Sequence, residues 1–143
     1  MTVALAWTGS WTGLASTAFP AASVGEGIGQ YVSADHFLIY LRTIHPLIAV
    51  GVVAYLVRFA LGRRAEHARG PLRALATGVG VLALAQLALG ATTILLLQPA
   101  GLRLLHLLLA DLLWIGVVLV AAEEGVRGAV PGVRRAEVAA AAD

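Results

Sequence analysis

Two histidines stand inside long apolar stretches, where an ionisable side chain is costly to keep and is functional by default. His45 lies in FLIYLRTIHPLIAVGVVAYLVRFAL and His106 in LRLLHLLLADLLWIGVVLVAA. An arginine precedes each at the same spacing, in Arg42-Thr43-Ile44-His45 and Arg103-Leu104-Leu105-His106. Three residues are nearly one helical turn, so each arginine shares its histidine's face, about 4.5 Å nearer the helix start. Two neutral imidazoles on separate helices are a common way for a bundle to grip an iron porphyrin. Arginines at those positions could meet its propionates in charge-assisted contacts, although arginines that only snorkel to the interface would show the same spacing. The expected cofactor is haem b, with His45 and His106 as metal ligands and Arg42 and Arg103 as further cofactor-binding residues. No catalytic residue is assigned. The chain has no cysteine, which excludes covalent attachment through C-x-x-C-H, thiolate metal sites and disulfides.

The remaining polar residues are read more plainly. His67 lies in an arginine-rich loop and is expected to be solvated, while His36, beside Asp35, suits a capping or interfacial role. Ala49, Ala110 and Gly90 would let either a flat macrocycle or a neighbouring helix come close, and their spacing does not separate the two. Pro46 removes a backbone donor next to His45. Asp111 and Gln86 fall at comparable depth on adjacent antiparallel helices, so a hydrogen bond between them is expected, with proton handling by Asp111 as the alternative.

The elements that must position these groups are membrane helices. Of 143 residues, 59% are hydrophobic and 13% charged, about half the usual charged fraction of soluble domains, and the mean hydropathy is +0.87. Apolar runs at about Phe37–Leu61, Leu72–Leu97 and Leu102–Ala122 each meet the roughly 20 residues needed to cross a bilayer. Thr2–Phe19 is apolar but diluted by Thr, Ser and Gly, and reads as a short or truncated fourth helix. The fold class is therefore all-α, an integral membrane helical bundle over residues 1–124 with a flexible tail over 125–143. Every basic residue is arginine. Arg58, Arg63, Arg64, Arg69 and Arg73 cluster between the first two long runs, and Arg127, Arg134 and Arg135 follow the third. Positive-inside bias puts the Arg58–Arg73 loop and the C-terminus in the cytoplasm of a multi-pass cell-membrane protein. Arginines placed in this way set topology and exclude a nucleic-acid footprint.

The stretches HFLIYLRTIHPLIAVGVVAYL and AQLALGATTILLLQPAGLRLLHLLLADLLWIGVVLV resemble one four-helix half of the haem A synthase family. Halves of that family carry one axial histidine in the second helix and one in the fourth, a little over sixty residues apart, and His45 and His106 are 61 apart. The resemblance covers about Leu5 to Glu123 and implies that Trp7-Thr8-Gly9-Ser10 is the outer end of a first helix. The family's usual arginine after the first ligand is Pro46 here, its loop cysteines are missing, and Arg42 stands where the catalytic half has a glutamate. The resemblance is thus to the half that holds haem b. It implies a haem-b-binding protein, incomplete as an enzyme by itself, in a homo-oligomer or a larger membrane complex and surrounded by lipid. The alternatives are a b-type cytochrome or accessory subunit of a respiratory complex with no haem-modifying activity, and a haem-free structural subunit.

Overall fold

In a computed structural model, which describes residues 2–32, 36–66 and 70–129, the chain is a multi-pass membrane bundle of helices. His67, Asp35 and the tail from 130 onward lie outside the described residues. The helices are α1 (Thr2–Ala18), α2 (Val24–Val32), α3 (Phe37–Glu66), α4 (Pro71–Leu95) and α5 (Ala100–Ala129). Three of them, α3, α4 and α5, are long and apolar enough to cross a membrane. The diluted N-terminal stretch forms a continuous 17-residue helix, about 25 Å long at 1.5 Å per residue.

Each boundary has a local cause. α2 opens with Ser23 Oγ accepting from the Glu26 amide at 3.1 Å, while the Glu26 carboxylate accepts from the Ala22 amide at 2.9 Å, a pairing close to a capping box. His36 caps α3: its carbonyl accepts from Ile39 and Tyr40, and its Nδ1 accepts from the Leu38 amide at 3.2 Å. α3 runs helical through Pro46. α4 starts with Pro71 in its first turn, where the missing N–H would have had no partner. It ends because Leu97 and Gln98 both take a left-handed backbone, φ 59°, and the Gln98 amide turns back to the Thr93 carbonyl at 2.8 Å. α5 then begins after Pro99 and continues to Ala129.

The main packing order is α1 on α3, α3 on α4 and α4 on α5. Val52, Val53 and Leu56 of α3, Leu72, Val79 and Ala83 of α4, and Leu113 and Val120 of α5 make one buried cluster. These residues run from the middle of α3, α4 and α5 toward the end of the bundle where α3 finishes and α4 begins. Lipid gives apolar helices little hydrophobic reason to associate, and close backbone approach has to supply the contact. A Cβ on Gly80 would stand 2.9 Å from the Ala60 Cβ, and one on Gly116 would stand 3.0 Å from Val79 Cγ2. Ion pairs rim this end: Arg63 to Glu124 at 2.7 Å links α3 to α5, with Arg63 to Glu66 at 2.8 Å and Arg127 to Glu123 at 3.0 Å.

Candidate functional site

The opposite end of the bundle holds the polar side chains. His45 is the ninth residue of α3 and His106 the seventh of α5, roughly 12 and 9 Å from their helix starts. α3 and α5 run in the same direction on either side of α4, so the two imidazoles lie at similar depth. α3 and α5 are not one of the main packed pairs; His45 is seated against α1 and His106 against α4.

Both rings are seated in the same way. A Cβ on Gly9 of α1 would stand 3.1 Å from His45 Cε1, and a Cβ on Gly90 of α4 would stand 3.1 Å from His106 Cε1. Each histidine therefore rests on a glycine of the preceding packed helix, where any larger residue would push the ring away. From the sequence, Gly90 is expected to let a flat macrocycle or a neighbouring helix come close and Gly9 only to lie at the outer end of a first helix, and neither position is tied to a ring. The signal that could have tied them is a glycine on each of the two helices that pair with a histidine helix.

The hydrogen bonds differ between the two seats. The Thr8 hydroxyl donates its one proton to the Leu5 carbonyl at 3.1 Å, so it accepts from His45 Nδ1, also at 3.1 Å. That leaves the Nε2 lone pair of His45 bare. On the other side the Gln86 amide nitrogen donates to the His106 carbonyl at 2.9 Å and lies 3.2 Å from His106 Nε2. A carbonyl only accepts, so it fixes the nitrogen of the Gln86 amide on this side, and the second amide hydrogen meets the Nε2 lone pair. The proton of His106 then sits on Nδ1. Among the described residues, both Nδ1 of His106 and Oε1 of Gln86 are buried without a hydrogen-bond partner, which is uncommon for such groups. Iron ligation by Nε2 of His106 requires Gln86 to turn aside.

Gln86 was expected to pair with Asp111, and the structure corrects this. The face of α5 that meets α4 carries His106, Leu113, Gly116 and Val120, while Asp111 is exposed on the other side. Five residues from His106 to Asp111 amount to about 140° of helix rotation, which equal depth alone does not reveal.

The two arginines line one cavity of about 320 Å³ outward of the histidines, together with Phe19, Ile28, Ile94 and Gln98. Arg42 is only 3% exposed. Its guanidinium donates to the carbonyls of Ala15 and Phe19 at 3.1 and 3.0 Å and to Gln30 Oε1 at 3.0 Å, so it ties the end of α1 and the surface helix α2 to α3. Nothing in the spacing of Gln30 pointed to that bond. Arg103 reaches the cavity from α5, and among the described residues its side chain engages no hydrogen-bonding or charged partner. No cluster of three or more histidine, cysteine, aspartate or glutamate residues able to hold a metal ion occurs among the described residues.

No family model matches the chain, and no solved structure matches it. Two curated proteins do, both called protoheme IX farnesyltransferase, from two strains of Thermus thermophilus. Each is 41% identical over 128 residues, 87% of this chain and 21% of the relative. The chain thus spans about a fifth of the length of these relatives, whose names describe whole proteins. The finding corrects the resemblance to haem A synthase, because the relatives carry the name of a different family. The haem-b-binding half of an oxidoreductase, the b-type cytochrome or accessory subunit and the haem-free subunit are set aside with it. The physical reason is that a pair of histidines on separate helices describes a grip. They do not specify whether the gripped molecule is oxidised or prenylated.

Proposed function

We propose that this chain is a membrane module of a protohaem-farnesylating system, and that it holds the porphyrin as cargo to be modified. The identity to proteins named protoheme IX farnesyltransferase, extending over 87% of the chain, carries this reading. The site residues fit it: His45 of α3 and His106 of α5 would hold the iron, and Arg103 and Arg42, which line one cavity, would meet the propionates. The buried Nδ1 of His106 and Oε1 of Gln86, without hydrogen-bond partners among the described residues, mark this level as polar and incompletely satisfied. The chain spans about a fifth of the length of those relatives, so prenyl transfer itself is placed on none of the residues described above. Positive-inside bias places its cytoplasmic side at the Arg58–Arg73 loop and the C-terminus, with the arginine-lined cavity on the outer side.

The test is a haem titration of the full chain in lipid nanodiscs. Saturable binding with a low-spin, six-coordinate spectrum is expected, and bound protohaem should pass to a haem-scavenging apoprotein within minutes, as cargo must. Absence of saturable binding, or binding unchanged by His45→Ala and His106→Ala, overturns the reading.

A further inference from the structure

The two histidines hold the same nitrogen in opposite states. His45 directs Nδ1 at the Thr8 hydroxyl, 3.1 Å away, whose own proton is committed to the Leu5 carbonyl. The imidazole proton is therefore on Nδ1, and the Nε2 lone pair of His45 is left for a metal. His106 also carries its proton on Nδ1, but the Gln86 amide covers its Nε2 lone pair at 3.2 Å. The same amide nitrogen donates to the His106 carbonyl at 2.9 Å, so the cover is anchored on the residue it blocks. Gln86 is not fully satisfied there: its Oε1 is buried and has no hydrogen-bond partner among the described residues. A side chain bonded through one polar atom and left with a buried orphan on the other is displaced at modest cost. In clearance the two seats match, with Gly9 and Gly90 each admitting a Cβ only to 3.1 Å from the ring Cε1. The contact at Nε2 is what distinguishes them.

We propose that Gln86 is a latch that sets the order of ligation: His45 takes a porphyrin iron first, and His106 follows once Gln86 has turned aside. This order rests on the proposed haem binding and adds to it which histidine acts first. In the first step one iron–nitrogen bond forms at Nε2 of His45. In the second, the N–H···N bond from Gln86 to His106 breaks and an iron–nitrogen bond forms at the freed Nε2. Both imidazoles stay neutral with their protons on Nδ1, so no proton moves and no electron is transferred. Gln86 is a positioning residue, acting on the iron only through His106. Its return to Nε2 competes with the second ligand, which suits a cargo that has to leave again.

Haemin is the probe, mixed with the full chain in lipid nanodiscs. A concentration-dependent phase should give a high-spin, five-coordinate spectrum, followed by a concentration-independent phase to the low-spin form. Gln86→Leu should speed the second phase at least about threefold, the scale of one lost neutral hydrogen bond. At equilibrium, Gln86→Leu should tighten haemin binding by about the same factor in the His45→Ala background, where His106 is the remaining ligand. In the His106→Ala background it should leave affinity unchanged. A residue that only glues α4 to α5 would shift both backgrounds alike, and circular dichroism of each variant reports an intact fold. The iron-free chain gives a separate readout by imidazole nitrogen NMR at about pH 8.5, above the ordinary histidine range. His45 and His106 should both carry the proton on Nδ1, and Gln86→Leu should move the Nε2 signal of His106 alone. Equal shifts in the two backgrounds, a second phase indifferent to Gln86→Leu, or a proton on Nε2 of His106 each overturn the latch and leave haem binding standing. A chain that takes up no haemin saturably overturns both.

Discussion

The two ends of the bundle are built on opposite principles. Near the Arg58–Arg73 loop, glycine and alanine bring backbones together, Val79 and Leu72 are almost wholly buried, and charge is kept to a paired rim. Around His45 and His106 glycines are equally close to their neighbours, but what they approach is an imidazole edge, and among the described residues the buried His106 Nδ1 and Gln86 Oε1 have no hydrogen-bond partner. The same small residue closes a helix interface at one end and seats a reactive ring at the other. The packed end can hold the helices in place while the polar end stays incomplete, as a binding site must before its ligand arrives.

The sharpest way to break this division is at the rings. His45→Ala or His106→Ala should weaken haem binding by more than the roughly 10–100-fold that loss of an outer-shell partner costs, read from the Soret titration, with thermal stability of the haem-free protein little changed. At the packed end the pattern should reverse. Gly80→Leu forces a side chain into a contact already full at 2.9 Å. It should destabilise by about 1–3 kcal/mol, seen as a lower midpoint in thermal or SDS unfolding, with haem affinity falling only as far as folding does. Between these lie the seats: Gly9→Ala and Gly90→Ala should each cost about tenfold in haem affinity with near-normal unfolding. Gln86→Leu frees Nε2 of His106 and should speed haem association a few-fold in stopped-flow mixing. The smallest effect is expected at the rim, where Arg63→Gln removes partly exposed ion pairs and should change stability by no more than about 1 kcal/mol.

What the sequence made legible divides along the same line. The three long helices follow from hydropathy, because length and apolarity alone decide what crosses a bilayer, and both R-x-x-H arginines do reach one cavity. Which face of a helix meets which neighbour is not encoded that way when nearly every residue is apolar. That is why Gln86 was matched with Asp111 and not with His106, and why the Gly9 and Gly90 seats went unlinked. The donor bonds of Arg42 depend on where α1 ends and α2 folds over it, a tertiary fact with no local signal. The family reading failed for a chemical reason: two histidines on separate membrane helices indicate a kind of ligand and are silent on the reaction.

The left-handed turn at Leu97 and Gln98 also bears on how the chain enters a bilayer. A connection this short leaves α4 and α5 no route except together, as one hairpin. Gln86 and His106 lie on its two arms and are hydrogen-bonded to each other, so they cross into hydrocarbon already mutually solvated. His45 has no such companion on α3. Its Thr8 contact comes from α1, and it must wait for that shorter helix. One half of the proposed site is thus made during insertion and the other during assembly. Mutations in the α1 seat should therefore act late, as loss of docking in a chain that has already inserted.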